Sequence, residues 1–235
     1  MDRNREKQNR YLLWGLALCL AAAYAGLCFN DSVWADEAYT MLLVQKPWPE
    51  AWELLLSDVH PPLYYIIVKL VCAKAGYPVQ AVKGISVVFV FLTMALGILL
   101  VYPDFGKKTA AVYIAAVGLM PQLIRHGVEL RMYPQTMFFV TACGLLAVSL
   151  QKHRRERAQV WRWTGFWASG VAAAYTHYYG LVSVAWIYGF LLCSLIVSHH
   201  CDRRRSGLAR EVSEGRGALR EMRGWLFCLA ASIAV

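Results

Sequence analysis

Acidic residues are scarce in this chain. Asp and Glu supply 15 of its 235 residues against 24 Lys and Arg, leaving a formal net charge of +9. No Gly-rich phosphate loop and no dinucleotide fingerprint occur, which excludes the nucleotide-binding folds built on them. The seven cysteines (Cys19, Cys28, Cys72, Cys143, Cys193, Cys201 and Cys228) form no CxxC pair and no metal-ligand spacing. They lie mostly inside apolar blocks and read as small buried hydrophobes rather than as a disulfide framework or a zinc site. Internal repeats and low-complexity tracts are also missing. The basic excess does not collect into a separate domain; it flanks hydrophobic blocks, which indicates membrane topology and not a nucleic-acid partner.

Long apolar blocks dominate instead. Hydrophobic residues make up 58% of the sequence and mean hydropathy is +0.40. The blocks have membrane-spanning length rather than amphipathic periodicity, so the expected class is all-α, a polytopic transmembrane helical bundle. Arg3, Arg5, Lys7 and Arg10 precede an apolar run over 11–29, longer than the about 7–15 residues of a signal-peptide core, and predict an uncleaved first span with its basic end in the cytoplasm. Further spans are expected at 81–102, 109–124, 133–150, 161–176 and 178–197. A last apolar segment begins at Trp225 and stops eleven residues later, which predicts that residues 1–235 are the N-terminal part of a longer fold.

The segment Leu63–Ala75 decides the orientation. It is short and carries Lys69 and Lys74, so it is expected to lie in the interface. If it does not cross, Lys107-Lys108 and the basic runs 152–157 and 203–223 all face the cytoplasm, as the positive-inside rule requires. The loop 30–62, the turn 125–131 and the turn at His177 then share the outer side. Asp36, Glu37, Asp58, His60, Glu129, Arg131 and His177 arrive there from three separate loops, and such convergence marks a candidate site.

Each element also has a local reading. Asp36 and Glu37 are suited to opening a helix over 37–45, where acids complement the dipole. His60-Pro61-Pro62 reads as a rigid turn. Glu129 and Arg131 are spaced to pair with one another, and His177 sits among Tyr178, Tyr179 and Trp186, an aromatic belt. Segment 165–174, rich in Gly and Ala, reads as a helix-packing surface.

The ordered motifs Asp36-Glu37-Ala38-Tyr39-Thr40, His60-Pro61-Pro62-Leu63-Tyr64-Tyr65, Glu129-Leu130-Arg131-Met132-Tyr133 and Tyr175-Thr176-His177-Tyr178-Tyr179 resemble the GT-C class of membrane glycosyltransferases. The likeness is to the family 39-like group, which includes protein O-mannosyltransferases and lipid A aminoarabinose transferases. It implies a GT-C fold with juxtamembrane helices in the first external loop, in the plasma membrane. It also implies inverting transfer of a hexosyl or pentosyl group from a polyprenyl-phosphate donor to a hydroxyl on a protein, lipid or glycan. By the same likeness the catalytic acids are Asp36, the base, and Glu37. The donor phosphate falls to His60 and Arg131, with Glu129, His177 and Tyr178 nearby. A divalent metal held through Asp58 and His60 is left open, no other cofactor is implied, and no nucleic acid. The alternative from another class is a transporter or flippase-like protein whose outward polar residues bind an ion or substrate.

Overall fold

The computed structural model describes residues 3–30, 32–154, 156, 159–206 and 211–234, with side chains described outside 202–220. The described residues are helical, with no strand among them. Among the described residues four stretches are long and apolar enough to cross a membrane: Arg3–Leu27, Val79–Gly118, Tyr133–Lys152 and Tyr178–Cys201. The chain divides into two compact units, one of residues 1–138 with 175–178, the other of 139–174 with 179–235.

The first unit is built on α1 (Arg3–Leu27), α5 (Val79–Leu96) and α6 (Tyr102–Gly118). A π-helical stretch, Gly97–Val101, joins α5 to α6 without a break. Run straight, the 40 residues from Val79 to Gly118 would span about 60 Å, twice the hydrocarbon core. Gly106 supplies the reversal: its φ of 81° and ψ of 176° are non-helical, in a region open to glycine, and Lys107-Lys108 follow at once. The legs then pack as a hairpin, with the Tyr113 hydroxyl donating to the Thr93 carbonyl at 2.9 Å. A Cβ at Gly97 would meet the Tyr113 ring at 2.7 Å, so glycine allows the close approach.

The span expected over 109–124 is interrupted. α6 ends at Gly118, and α7 (Pro121–His126) starts anew after Met120, whose ψ of 120° is extended. Pro121 disfavours the helical conformation at the residue before it. Likewise α9 (Val160–Thr176), at 17 residues, and α11 (Glu211–Ile233), with its charged first half, are helices but are not among the four stretches of spanning length and apolarity.

Between α1 and α5 the chain folds into α2 (Ala35–Gln45), α3 (Trp48–Ser57) and α4 (Leu63–Ala75). The thirteen residues of α4 reach about 20 Å, too short to cross. Lys69 does not mark a wet face, as the sequence implied; it is 6% exposed and its ammonium donates to the carbonyls of Val44, at 3.0 Å, and Lys46. α3 leaves Trp48, Trp52 and Leu56, spaced four apart on one face, exposed.

In the second unit, α8 (Tyr133–Lys152), α9, α10 (Tyr178–Ser206) and α11 pack through small residues. A Cβ on Gly165 would sit 3.1 Å from Leu146, and one on Gly170 would sit 3.1 Å from Tyr188. Phe166 stacks on Tyr188 with centroids 4.4 Å apart. Gln151 donates to Ser198 at 2.6 Å, and Trp225 to the Tyr188 carbonyl at 3.0 Å. The basic tract expected as a loop over 203–223 lies partly outside the described residues; where described, its backbone is helix, closing α10 at Ser206 and opening α11 at Glu211. Arg155 and Arg157 of the run 152–157 lie outside them too.

Candidate functional site

The site grows from the first turn of α2. Glu37 is 2% exposed, and both its carboxylate oxygens accept backbone amides. Oε2 takes the N–H of Trp34 at 3.1 Å, the reach-back half of a capping box, and Oε1 takes the N–H of Leu130 at 2.8 Å. Thr40, one turn on and fully buried, donates its hydroxyl to the Leu130 carbonyl at 3.2 Å. Both polar backbone groups of Leu130 are thus consumed by side chains of α2. From the other side, the Ser86 hydroxyl of α5 donates to the Glu129 carbonyl at 2.5 Å. A stretch of irregular chain between α7 and α8 is thereby fixed, because leaving those backbone groups unpaired in a buried place is costly.

Fixing Leu130 places Arg131 beside Asp36. The Arg131 Nη2 lies 3.7 Å from Asp36 Oδ2, and Nη1 donates to the Asp36 carbonyl at 3.5 Å. The two side chains differ in exposure, 6% for Arg131 and 49% for Asp36, so the acid meets solvent while the guanidinium lies behind it. Arg131 Nε is buried with no hydrogen-bond partner among the described residues. The guanidinium also lies 5.8 Å from the centroid of the Tyr133 ring. The pair expected between Glu129 and Arg131 is therefore not formed: Arg131 turns to Asp36, and Glu129 Oε2 pairs with His126 Nδ1 at 2.9 Å.

A third connection brings in the turn before α10. Gln135 in the first turn of α8 donates to the Thr176 hydroxyl at 3.0 Å, with both residues buried. His177 then stands next to Tyr133, centroids 6.2 Å apart, and next to His60, centroids 5.6 Å apart in an edge-on arrangement. His60 Nδ1 lies 3.4 Å from Asp58 Oδ1. The continuous series is Asp36, Arg131, Tyr133, His177, His60 and Asp58, drawn from three loops remote in sequence. Burial, and then the neighbouring His60 and Arg131, hold the His177 imidazole below its ordinary pKa, which favours a neutral ring. Burial, followed by the Asp58 carboxylate, raises the hydroxyls of Tyr39 and Tyr65, which remain protonated donors beside that acid.

The candidate residues thus separate by position. Asp36, Arg131, His60 and His177 belong to one cluster; Glu37 anchors it from behind; Glu129 sits at its edge with His126. Tyr178 opens α10 largely exposed and takes part in none of these contacts. Asp58 and His60 share one contact, and among the described residues no group of three or more His, Cys, Asp or Glu is placed to hold a metal ion. Tyr133 joins Arg131 to His177 and also touches His126, at 5.9 Å, yet its residue type alone gives no sign of this. Thr40, Ser86, Gln135 and Thr176 escape sequence reasoning for the same reason: their partners are 41 to 90 residues away. The chain matches no protein-family model, no curated protein and no solved structure.

Proposed function

We propose that this protein is a membrane glycosyltransferase that moves a sugar from a polyprenyl-phosphate donor to a hydroxyl acceptor, with inversion, at the outer face of the bilayer. One observation carries the reading: a half-exposed carboxylate, Asp36, held 3.7 Å from a buried guanidinium, Arg131, with two imidazoles continuing the line. That is a base next to an anion anchor, the two groups such a transfer needs. The order of the four motifs, which resembles GT-C enzymes, supports the same assignment.

In the proposed reaction Asp36 takes the proton of the acceptor hydroxyl as its oxygen bonds to the anomeric carbon. The bond from that carbon to the phosphate oxygen breaks on the opposite face, and polyprenyl phosphate leaves with the electron pair. Arg131, with hydrogen bonds from His60 and His177, stabilises the negative charge gathering on the departing phosphate. Glu37 makes no contact with substrate; it holds Leu130, and so Arg131, in place. A lipid-anchored donor needs no nucleotide fold, which accords with the missing phosphate loop. No step is routed through a metal; among the described residues Asp58 and His60 share one contact, and no third His, Cys, Asp or Glu is placed with them to hold an ion.

The transporter reading is less well supported. A transport pathway places its polar groups near the bilayer midplane on broken helices, whereas this cluster comes from loops and helix ends. Membranes containing the intact protein, supplied with radiolabelled sugars as polyprenyl phosphates or as nucleotide sugars, test the proposal. Label should pass to an acceptor from a lipid-linked donor alone and disappear in Asp36→Asn. Equal transfer from nucleotide sugars, or vectorial uptake with no covalent product, contradicts it.

A further inference from the structure

A cavity lies wholly within the second unit. It is a cleft of about 500 Å³ between α9 and α11, walled by Trp163, Trp167 and Phe227, with Gln159, Glu221 and Arg223 toward one end. The size falls in the range of small-molecule sites, about 300–1,000 Å³. Its shape is built in. Gly224 has no side chain, and a Cβ there would meet the Trp163 ring at 2.9 Å. Cys228 Sγ rests on the Trp163 carbonyl at 3.7 Å, and Trp225, on the far face of α11, is tied to α10. α11 is therefore fixed against its neighbours while the slot between its aromatic residues and those of α9 stays open.

Two polar features indicate what fills it. Arg223 is exposed at the polar end, a cation suited to a phosphodiester. In the same lining, Trp167 Nε1 is a buried donor with no hydrogen-bond partner among the described residues, a group that costs free energy unless an acceptor reaches it. A cation, an acceptor-seeking donor and apolar aromatic walls in one cleft match the three parts of a membrane phospholipid: phosphate, ester carbonyl and acyl chain.

We propose that the α9–α11 cleft is a binding site for one diacyl glycerophospholipid, with its phosphate on Arg223, an ester carbonyl on Trp167 Nε1 and one acyl chain along Phe227. This site is separate from the Asp36 cluster and does not depend on the reaction assigned there. The test is lipid retention by the intact protein, purified in detergent, stripped, and re-equilibrated with phosphatidylglycerol, phosphatidylethanolamine, diacylglycerol or inorganic phosphate before native mass spectrometry. Either phospholipid should be retained at one per chain, since both share the phosphodiester, while diacylglycerol and inorganic phosphate should not. Thr164→Trp, which fills the cleft, and Arg223→Glu should each reduce retention at least tenfold, and Trp167→Phe about fivefold. Asp36→Asn should retain lipid like the parent. Arg223 is at the surface, so its variant remains informative if Thr164→Trp fails to fold. Unchanged retention in Arg223→Glu, or diacylglycerol held as firmly as phospholipid, overturns the proposal.

Discussion

The two ends of α2 handle charge in opposite ways. At its C-terminus Lys69 is buried, donates to two backbone carbonyls and lies 5.0 Å from the Trp48 ring centroid. A cation there complements the helix dipole and satisfies orphan carbonyls. At its N-terminus Glu37 is equally buried and equally saturated, but it stands beside Asp36, which is half-exposed, and Arg131, whose Nε has no partner among the described residues. The first end is complete without a ligand. The second pairs a finished anchor with an unfinished pair of charges, and such pairing of rigid support with reactive groups is what a functional site requires.

That contrast predicts different outcomes for similar deletions. Glu37→Ala has the largest expected effect, because the buried Leu130 N–H loses its acceptor, at about 1–3 kcal/mol, and the part-buried Trp34 N–H loses its cap as well. Thermal unfolding in detergent should shift sharply down, and sugar transfer should vanish together with the position of Arg131; an unchanged midpoint would deny the anchor. Lys69→Met orphans the carbonyls at the other end and should cost about 1–3 kcal/mol of stability. The surviving folded protein should nonetheless bind donor normally, and weakened donor binding per folded molecule would erase the distinction between the ends.

Arg131→Lys keeps the charge and loses the planar fork. Donor affinity should fall about tenfold, equivalent to about 1.4 kcal/mol, with little change in stability. Equal loss of both would make Arg131 a structural cation like Lys69. The smallest effect belongs to pH. The folded-state pKa of His177 lies below its ordinary value of 6.5, so the unfolded chain takes up the proton first. Stability from the neutral ring is complete above about pH 6.5 and is lost as pH falls from there to the lower folded value. Unfolding curves between pH 7.5 and 5 should show this loss in the parent and a flatter profile in His177→Gln.

Much of this arrangement was legible in the residues. In a chain with 15 acids, Asp36 and Glu37 stand out, and helix-start chemistry predicts the helix that follows them. The short Leu63–Ala75 helix was also readable from length, and the Lys107-Lys108 turn from the break between apolar blocks. What the pattern could not divide was the acid pair. Which carboxylate turns inward depends on Leu130, 93 residues from Glu37, and no local rule reports that contact. Lys69 misled for a related reason: a lysine ordinarily marks water, and here the nearest unpaired carbonyls belong to another helix end. The interruption before Pro121 was readable from the proline itself, but an apolar run across it resembles a span when hydropathy alone is counted. The α9–α11 cleft left no trace, since tryptophans at helix ends read equally well as an interfacial belt.

The claim that Asp36 is the base beside a separate phosphate anchor is tested most directly by splitting binding from transfer in Asp36→Asn. With the intact protein in membranes, donor binding should stay within about twofold of the parent, because Arg131, His60 and His177 are untouched, while transfer falls by at least about a hundredfold. Parental transfer by Asp36→Asn, or loss of donor binding in step with transfer, would contradict the account.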